Sequence, residues 1–396
     1  MRKGLFLSLT VAVCFILIIF LNNETYTGSA FVQDKNSGTL SIIHGPYLLQ
    51  PTESSMIVMW MTNKNCVSKV EYGTGDNLEY TAVNSQHGLI DANITIHKVR
   101  ISGLQAGTDY KYRAVSKEIV KFEPYKVTFG ETVESDKYRF RTLDRNKNNF
   151  SIFVVNDIHE REARFDSLLS GVNWEAVDIV FLNGDIINHF EDERQIFDGF
   201  LDKAVDIFAR EIPFIYVRGN HETRGLAARS LMDYFPTGSG RYYYSFGHGP
   251  IHFIILDSGE DKEDSNVSYC SLADFDRYRD EQAEWLEEEI KSDSFKEAKF
   301  RIVLIHMPLY GGNNWHGIQD IRKKFGSILN KGQIDMMISG HTHRFARIPA
   351  QEGENTYPIV IGGTDTKIKI DVSENQLNTT VLRLDGSVVD ELIIKK

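Results

Sequence analysis

Three patterns of apolar and polar positions follow one another along the chain. Leu5 to Leu21 is an uncharged, mostly apolar run. From about residue 40 to 143 the apolar positions fall in short alternating stretches. Examples are Met56 to Met61, Lys69 to Tyr72, Lys98 to Ile101, Tyr110 to Ala114 and Tyr138 to Arg141. Turn residues separate them and no helical period intervenes, so the spacing predicts a small β-sandwich over 40–143. Residues 144–149 are all polar and read as a linker. Beyond them, buried strands alternate with helical stretches, which predicts a layered α/β domain over 150–396. The last thirty residues alternate again, in Lys367 to Val372, Thr379 to Leu384 and Val388 to Ile394, and should close the sheet. Residues 260–271 are polar and read as a loop.

The α/β half carries the chemistry. Ile152 to Val155 ends in Asn156-Asp157, with His159 two residues on. Ile179 to Leu182 ends in Asn183-Gly184-Asp185, and Phe214 to Val217 in Arg218-Gly219-Asn220-His221-Glu222. Ile302 to Ile305 runs into His306, and Met336 to Ile338 into Ser339-Gly340-His341-Thr342-His343. Open α/β sheets place ligands at the C-terminal ends of their strands. One such Asp is commonly a helix cap, one Asn a turn residue and one His a loop residue. Five strand ends that each deliver Asp, Asn or His to one edge point to a metal site. Arg161, Arg218 and Arg224 flank the motifs, but surface arginine is common and they are not included.

This order of motifs resembles the calcineurin-like metallophosphoesterases over residues 150 to 350. The resemblance implies an α/β fold, a four-layer α/β/β/α sandwich with two metal ions. By motif position, Asp157, His159, Asp185 and His343 would hold one ion. Asp185, Asn220, His306 and His341 would hold the other. Carboxylate, amide and imidazole donors without thiolate suit Mn, Fe or Zn. Two such ions would clamp an in-line displacement and supply a bridging hydroxide, so no protein nucleophile is needed. In the family the His of Asn-His-Glu acts on the substrate, which makes His221 a catalytic candidate. Glu222 either orients it or caps the segment that follows.

The segment Leu104 to Arg113 resembles the tyrosine corner of fibronectin type III domains, with Trp60 as a core anchor of the same sandwich. A fibronectin-like domain before the catalytic one is also the arrangement of purple acid phosphatases. Those enzymes place a His in a loop after the metal-ligand His; here His316 follows His306 by ten residues and is a second catalytic candidate. Trp315 beside it reads as packing the loop down. Two positions depart from that family. Asn188 stands where it uses a Tyr ligand, and His159 stands where it has none. Phosphomonoester hydrolysis is therefore the first expectation, on domain order and His316. A phosphodiesterase is the alternative, on Asn188 and His159, and an inactive cell-surface binding protein is the reading from another class.

Composition narrows the setting. With 42% hydrophobic and 25% charged residues the chain has a globular core and is neither disordered nor polytopic. A net charge of -11 argues against broad nucleic-acid binding. A small phosphorylated substrate remains compatible, because bound metal ions supply positive charge locally. Arg2 and Lys3 before Leu5 to Leu21, then Gly28-Ser29-Ala30, predict a signal peptide or a retained anchor over 1–30. The protein would then be periplasmic, secreted or held at the cell surface. Cys66 and Cys270 form either one long-range bridge or two free thiols.

Overall fold

The computed structural model describes residues 38–396, so the expected signal peptide or anchor lies outside the described residues. The α/β half follows from strand alternation. In Phe150–Val155, Val177–Asn183 and Phe214–Val217 successive side chains leave opposite faces, and both faces are apolar. Ile152, Val154, Ile179, Phe181 and Ile215 pack against Phe253, Ile302, Leu304 and Ile338 of a second sheet. Phe153, Val155, Val180 and Leu182 turn the other way, onto Phe165, Leu168, Phe197 and Phe200 of helical segments. The second sheet repeats the device: Ile254, Val303 and Met337 meet Leu286, Ile321, Phe325 and Leu329 of its own helices. Three buried interfaces make four layers, α/β/β/α, as expected. The helical run from Arg194 to Ala209 alternates between α and π turns.

The motif strands pair in parallel within each sheet. Parallel strands share one direction, so their C-terminal ends meet at one edge. Thr366–Ser373, Gln376–Arg383 and Val388–Lys395 form an antiparallel meander that extends the first sheet beside Phe150–Val155.

In the N-terminal half, two of the expected strands are one. Ser55–Gly73 runs unbroken for 19 residues. Its first part pairs with Ile42–Leu49 and Ala92–Ser102, and its second part with Asp109–Glu123. A register shift between Met61 and Cys66 marks the change. The Tyr110 hydroxyl accepts the Gln105 N–H at 2.9 Å, the geometry of a tyrosine corner. Trp60 is wholly buried, and its indole N–H reaches Ser116 Oγ at 2.8 Å.

The two halves are joined by more than a linker. Leu49 pairs in parallel with Phe214, which makes the two sheets continuous. Tyr47 and Tyr112 donate their hydroxyls to the carbonyls of Tyr234 and Arg210. Lys147, within the polar stretch, is paired with Asp178. Cys66 is buried and Cys270 exposed, and both are free thiols. Among the described residues no helix is long and apolar enough to cross a membrane.

Candidate metal centre

Five strand ends converge, and the backbone there is bent to make them do so. Asp157, His159, Asp185, His341 and His343 all have positive φ, between 52° and 71°. That conformation costs an ordinary residue about 1–2 kcal/mol, and such strain concentrates at functional sites. Two glycines permit the close approach. A Cβ at Gly184, whose φ is +83°, would run into the His306 ring, and one at Gly219 would meet Asp185 Oδ1.

The bent loops bring seven predicted residues together. Asp157, His159, Asp185 and His343 form one group whose ligand-capable atoms lie within 4.8 Å of one another; Asp185, His306 and His341 form a second. Asp185 belongs to both. The Nε2 atoms of His159 and His343 are 3.0 Å apart. Asn220 Oδ1 is 3.0 Å from His341 Nδ1, which places the amide at the second group.

The electrostatics describe a site in want of cations. Asp157 and Asp185 are fully buried, and among the described residues no Lys or Arg is paired to either. Burial, then the Asp185 charge, push the Asp157 carboxyl up to about 7, against the attraction of His306. Burial disfavours the charged His306 ring, but Asp185 and Asp157 outweigh it and hold the imidazole up at about 10. Burial depresses His159 to about 4 and His341 to about 3, which leaves their rings neutral and their lone pairs free near pH 7. Asp157 Oδ1, His159 Nδ1 and His306 Nε2 are buried without a hydrogen-bond partner. His306 Nε2 does lie 3.0 Å from Asp185 Oδ2, close enough for charge attraction but outside hydrogen-bond alignment. Orphaned buried polar atoms and neutral imidazoles around two carboxylates fit divalent cations.

Glu222 does neither of the things expected of it. Its buried carboxylate accepts the N–H groups of Asp185 (3.0 Å), Ile186 (2.8 Å) and Gly219 (2.8 Å), and the Tyr216 hydroxyl (2.8 Å). It ties two motif loops together, and its short helical turn has no side-chain cap. His221 is oriented instead by Asn188, whose carbonyl accepts from Nδ1 at 2.7 Å. A carbonyl only accepts, so this bond fixes the tautomer and leaves Nε2 facing the cluster, 3.8 Å from Asp185 Oδ2. The Asn188 side chain turns back onto the His159 carbonyl and does not take up a ligand position.

His316 is a correction. It opens the helix His316–Gly332, and its Nε2 is held by the Asp276 carboxylate at 2.8 and 2.9 Å. The structure does not bring it into the cluster; the neighbouring acid on Phe275–Glu289 captures the ring. Trp315 corrects the packing expectation. It is 48% exposed, with its ring 6.2 Å from that of His341. Arg224 carries no distinguishing sequence signal, yet it touches His221: its Nη1 lies 3.2 Å from Nε2. Its partner Glu260 is 36 residues away and nearly inaccessible, which no local pattern announces.

Comparison with known proteins bears on the family and the fold. The family model for calcineurin-like phosphoesterases matches residues 150–345, and that for the purple acid phosphatase N-terminal domain matches residues 46–142. Purple acid phosphatase 22 of Arabidopsis thaliana is 26% identical over 336 residues, 77% of this chain and 68% of its own. Acid phosphatase type 7 of Mus musculus is 24% identical over 77% of this chain and 70% of its own. The structure of a purple acid phosphatase from yellow lupin (Lupinus luteus) seeds superposes with a TM-score of 0.67. It is 15% identical, and the match covers 88% of this chain and 74% of that one. The chain belongs to the calcineurin-like metallophosphoesterases, metal-dependent phosphoric ester hydrolases, and carries the domain arrangement of their purple acid phosphatase branch.

Proposed function

We propose that this protein is an exported dinuclear-metal hydrolase of phosphomonoesters. Asp157, His159, Asp185 and His343 hold one ion, and Asp185, Asn220, His306 and His341 the other. The observation that carries the reading is Asp185, a buried carboxylate common to both ligand groups. The donors suit Mn, Fe or Zn. When bound, two such ions supply Lewis acidity and a hydroxide nucleophile near neutral pH.

The chain's own residues do the rest. Glu222 fixes the Asp185 and Gly219 loops, so the shared carboxylate does not drift. His221, anchored through Nδ1, presents Nε2 to the substrate. There it stands beside Arg224 Nη1, placed to meet the leaving group. Export rests on the sequence pattern of Arg2, Lys3 and Leu5 to Leu21.

Turnover of a nitrophenyl phosphate against its bis ester tests the reading. The monoester should be the better substrate by kcat/KM. A phosphodiesterase is the second reading, favoured by His159, which sits inside the cluster. Preference for the bis ester would select it, and hydrolysis of neither ester by the metal-loaded protein would defeat both.

A further inference from the structure

Arg224 is held in a way that a surface arginine is not. Its Nε and Nη2 form a fork on Glu260, at 2.5 Å to Oε1 and 2.9 Å to Oε2. Glu260 is 1% exposed, although it opens a stretch whose sequence reads as a polar loop. Every other contact of that carboxylate also serves to fix it. The Thr223 hydroxyl reaches Oε1 at 3.2 Å, the Tyr269 hydroxyl reaches Oε2 at 2.9 Å, and the Asp261 N–H reaches Oε2 at 3.2 Å. A carboxylate with that many donors holds the guanidinium in one orientation.

The orientation is informative. Nε and one N–H of Nη2 go to Glu260, Nη2 also lies 3.8 Å from Asp261 Oδ2, and Nη1 is directed at His221 Nε2, 3.2 Å away. That nitrogen is the one His221 turns to the cluster, since Nδ1 is committed to the Asn188 carbonyl. Nη1 carries two N–H bonds and the imidazole accepts one. The second has no protein acceptor among the described contacts. The Arg224 side chain is about one-third exposed, so its free end is reachable from solvent while its base is locked.

We infer that Arg224 is the protein's own ligand for a non-bridging phosphoryl oxygen, presented beside His221 by Glu260, and that it favours dianionic terminal phosphates over diesters. The reason is the acceptor it meets. A terminal phosphate can turn an anionic oxygen toward Nη1 while the remaining oxygens face the ion site. A diester has one anionic charge to share and an esterified oxygen that accepts poorly, so it gains less from a charged donor. Arg224 also positions His221, because the same Nη1 holds Nε2 from the side opposite Asn188. Glu260 is a positioning residue that acts through Arg224. This inference rests on the proposed phosphoesterase reading and names the substrate class for that site.

The test uses the full-length metal-loaded protein, inorganic phosphate as the binding probe, and the two nitrophenyl esters. Arg224→Ala should weaken phosphate binding in calorimetry by tenfold or more, with metal content per chain unchanged. It should also lower kcat/KM for the monoester at least tenfold more than for the bis ester. Arg224→Lys keeps a point charge but loses the fork, so its phosphate affinity should fall between wild type and Ala. It also serves as the second variant should Arg224→Ala fail to fold. Glu260→Gln should shift phosphate affinity in the same direction by a smaller factor. Unchanged phosphate affinity in both Arg224 variants would overturn the inference, as would equal losses on the two esters. If wild type binds phosphate through Arg224 but hydrolyses neither ester, the enzyme reading fails and the anion site stands.

Discussion

Trp60 and Asp185 are equally buried and their surroundings are differently wired. In the N-terminal sandwich every buried side-chain nitrogen and oxygen has a partner. The Trp60 indole N–H donates to Ser116 Oγ, which is 2.8 Å from Ser68 Oγ. Thr62 Oγ1 donates to the Lys64 carbonyl and lies 2.8 Å from His97 Nε2. No buried side-chain polar atom between residues 38 and 143 is left over. At the other pole, Asn156, Asp157, His159, Asn183, His306 and Ser339 each keep an unpartnered buried atom. These residues sit at or just beyond the ends of the motif strands. A satisfied network specifies one packing. An unsatisfied one lowers stability unless something further binds there. Single orphaned atoms also occur elsewhere in the α/β half, at Arg164, Arg210, His252, Asn355, Tyr357 and Asn378, so the contrast lies in their gathering at one edge.

Substitutions can break this comparison. Trp60→Ala should cost the most stability, about 3–5 kcal/mol, through lost packing, with Ser116 keeping Ser68 as its partner. Chemical denaturation reads the loss, and metal content should not change. Glu222→Gln comes next. It points an amide N–H at backbone donors that now meet a carboxylate oxygen, and should cost about 3 kcal/mol. Unlike Trp60→Ala it should also lower metal occupancy, because Asp185 loses its tether; elemental analysis checks this.

Two pH effects of opposite sign sharpen the comparison. Burial lowers His97 to about 4, so its neutral form belongs to the folded state. Its contribution is complete above the unfolded value near 6.5 and falls away as pH drops toward 4. Between pH 7 and pH 5 the loss should be about 2 kcal/mol. Melting curves at both pH values should show it in wild type, and His97→Gln should remove most of it. Asp157 runs the other way. Its raised pKa means that the metal-free protein loses stability as pH rises from about 4 toward 7. Asp157→Asn should therefore raise the stability of the metal-stripped protein at pH 7 by about 1 kcal/mol or more. A loss of stability instead would mean that this carboxylate is part of the scaffold.

Much of this was legible in the sequence because strand ends are local. Asp157, Asp185, Asn220, His306 and the His341–His343 pair each follow an apolar run, and parallel pairing carries them to one edge. Trp60 and the Tyr110 corner were legible for the same reason. What was hidden depends on partners distant in sequence. Glu222 finds Asp185 across 37 residues, Arg224 finds Glu260 across 36, and His316 finds Asp276 across 40. No periodicity encodes such meetings. His316 in particular looked free because a glycine-rich stretch precedes it, while the acid that captures it stands on another helix. The pairing of Leu49 with Phe214 was hidden likewise, since a polar stretch at 144–149 reads as separation.

The central claim is that Asp185 joins two metal sites, and metal stoichiometry tests it most directly. Elemental analysis of the purified wild-type protein should give two ions per chain, and Asp185→Ala should lower occupancy at both sites together, with hydrolysis lost. Two ions retained in Asp185→Ala, or a fully active wild-type protein with none, would contradict the account.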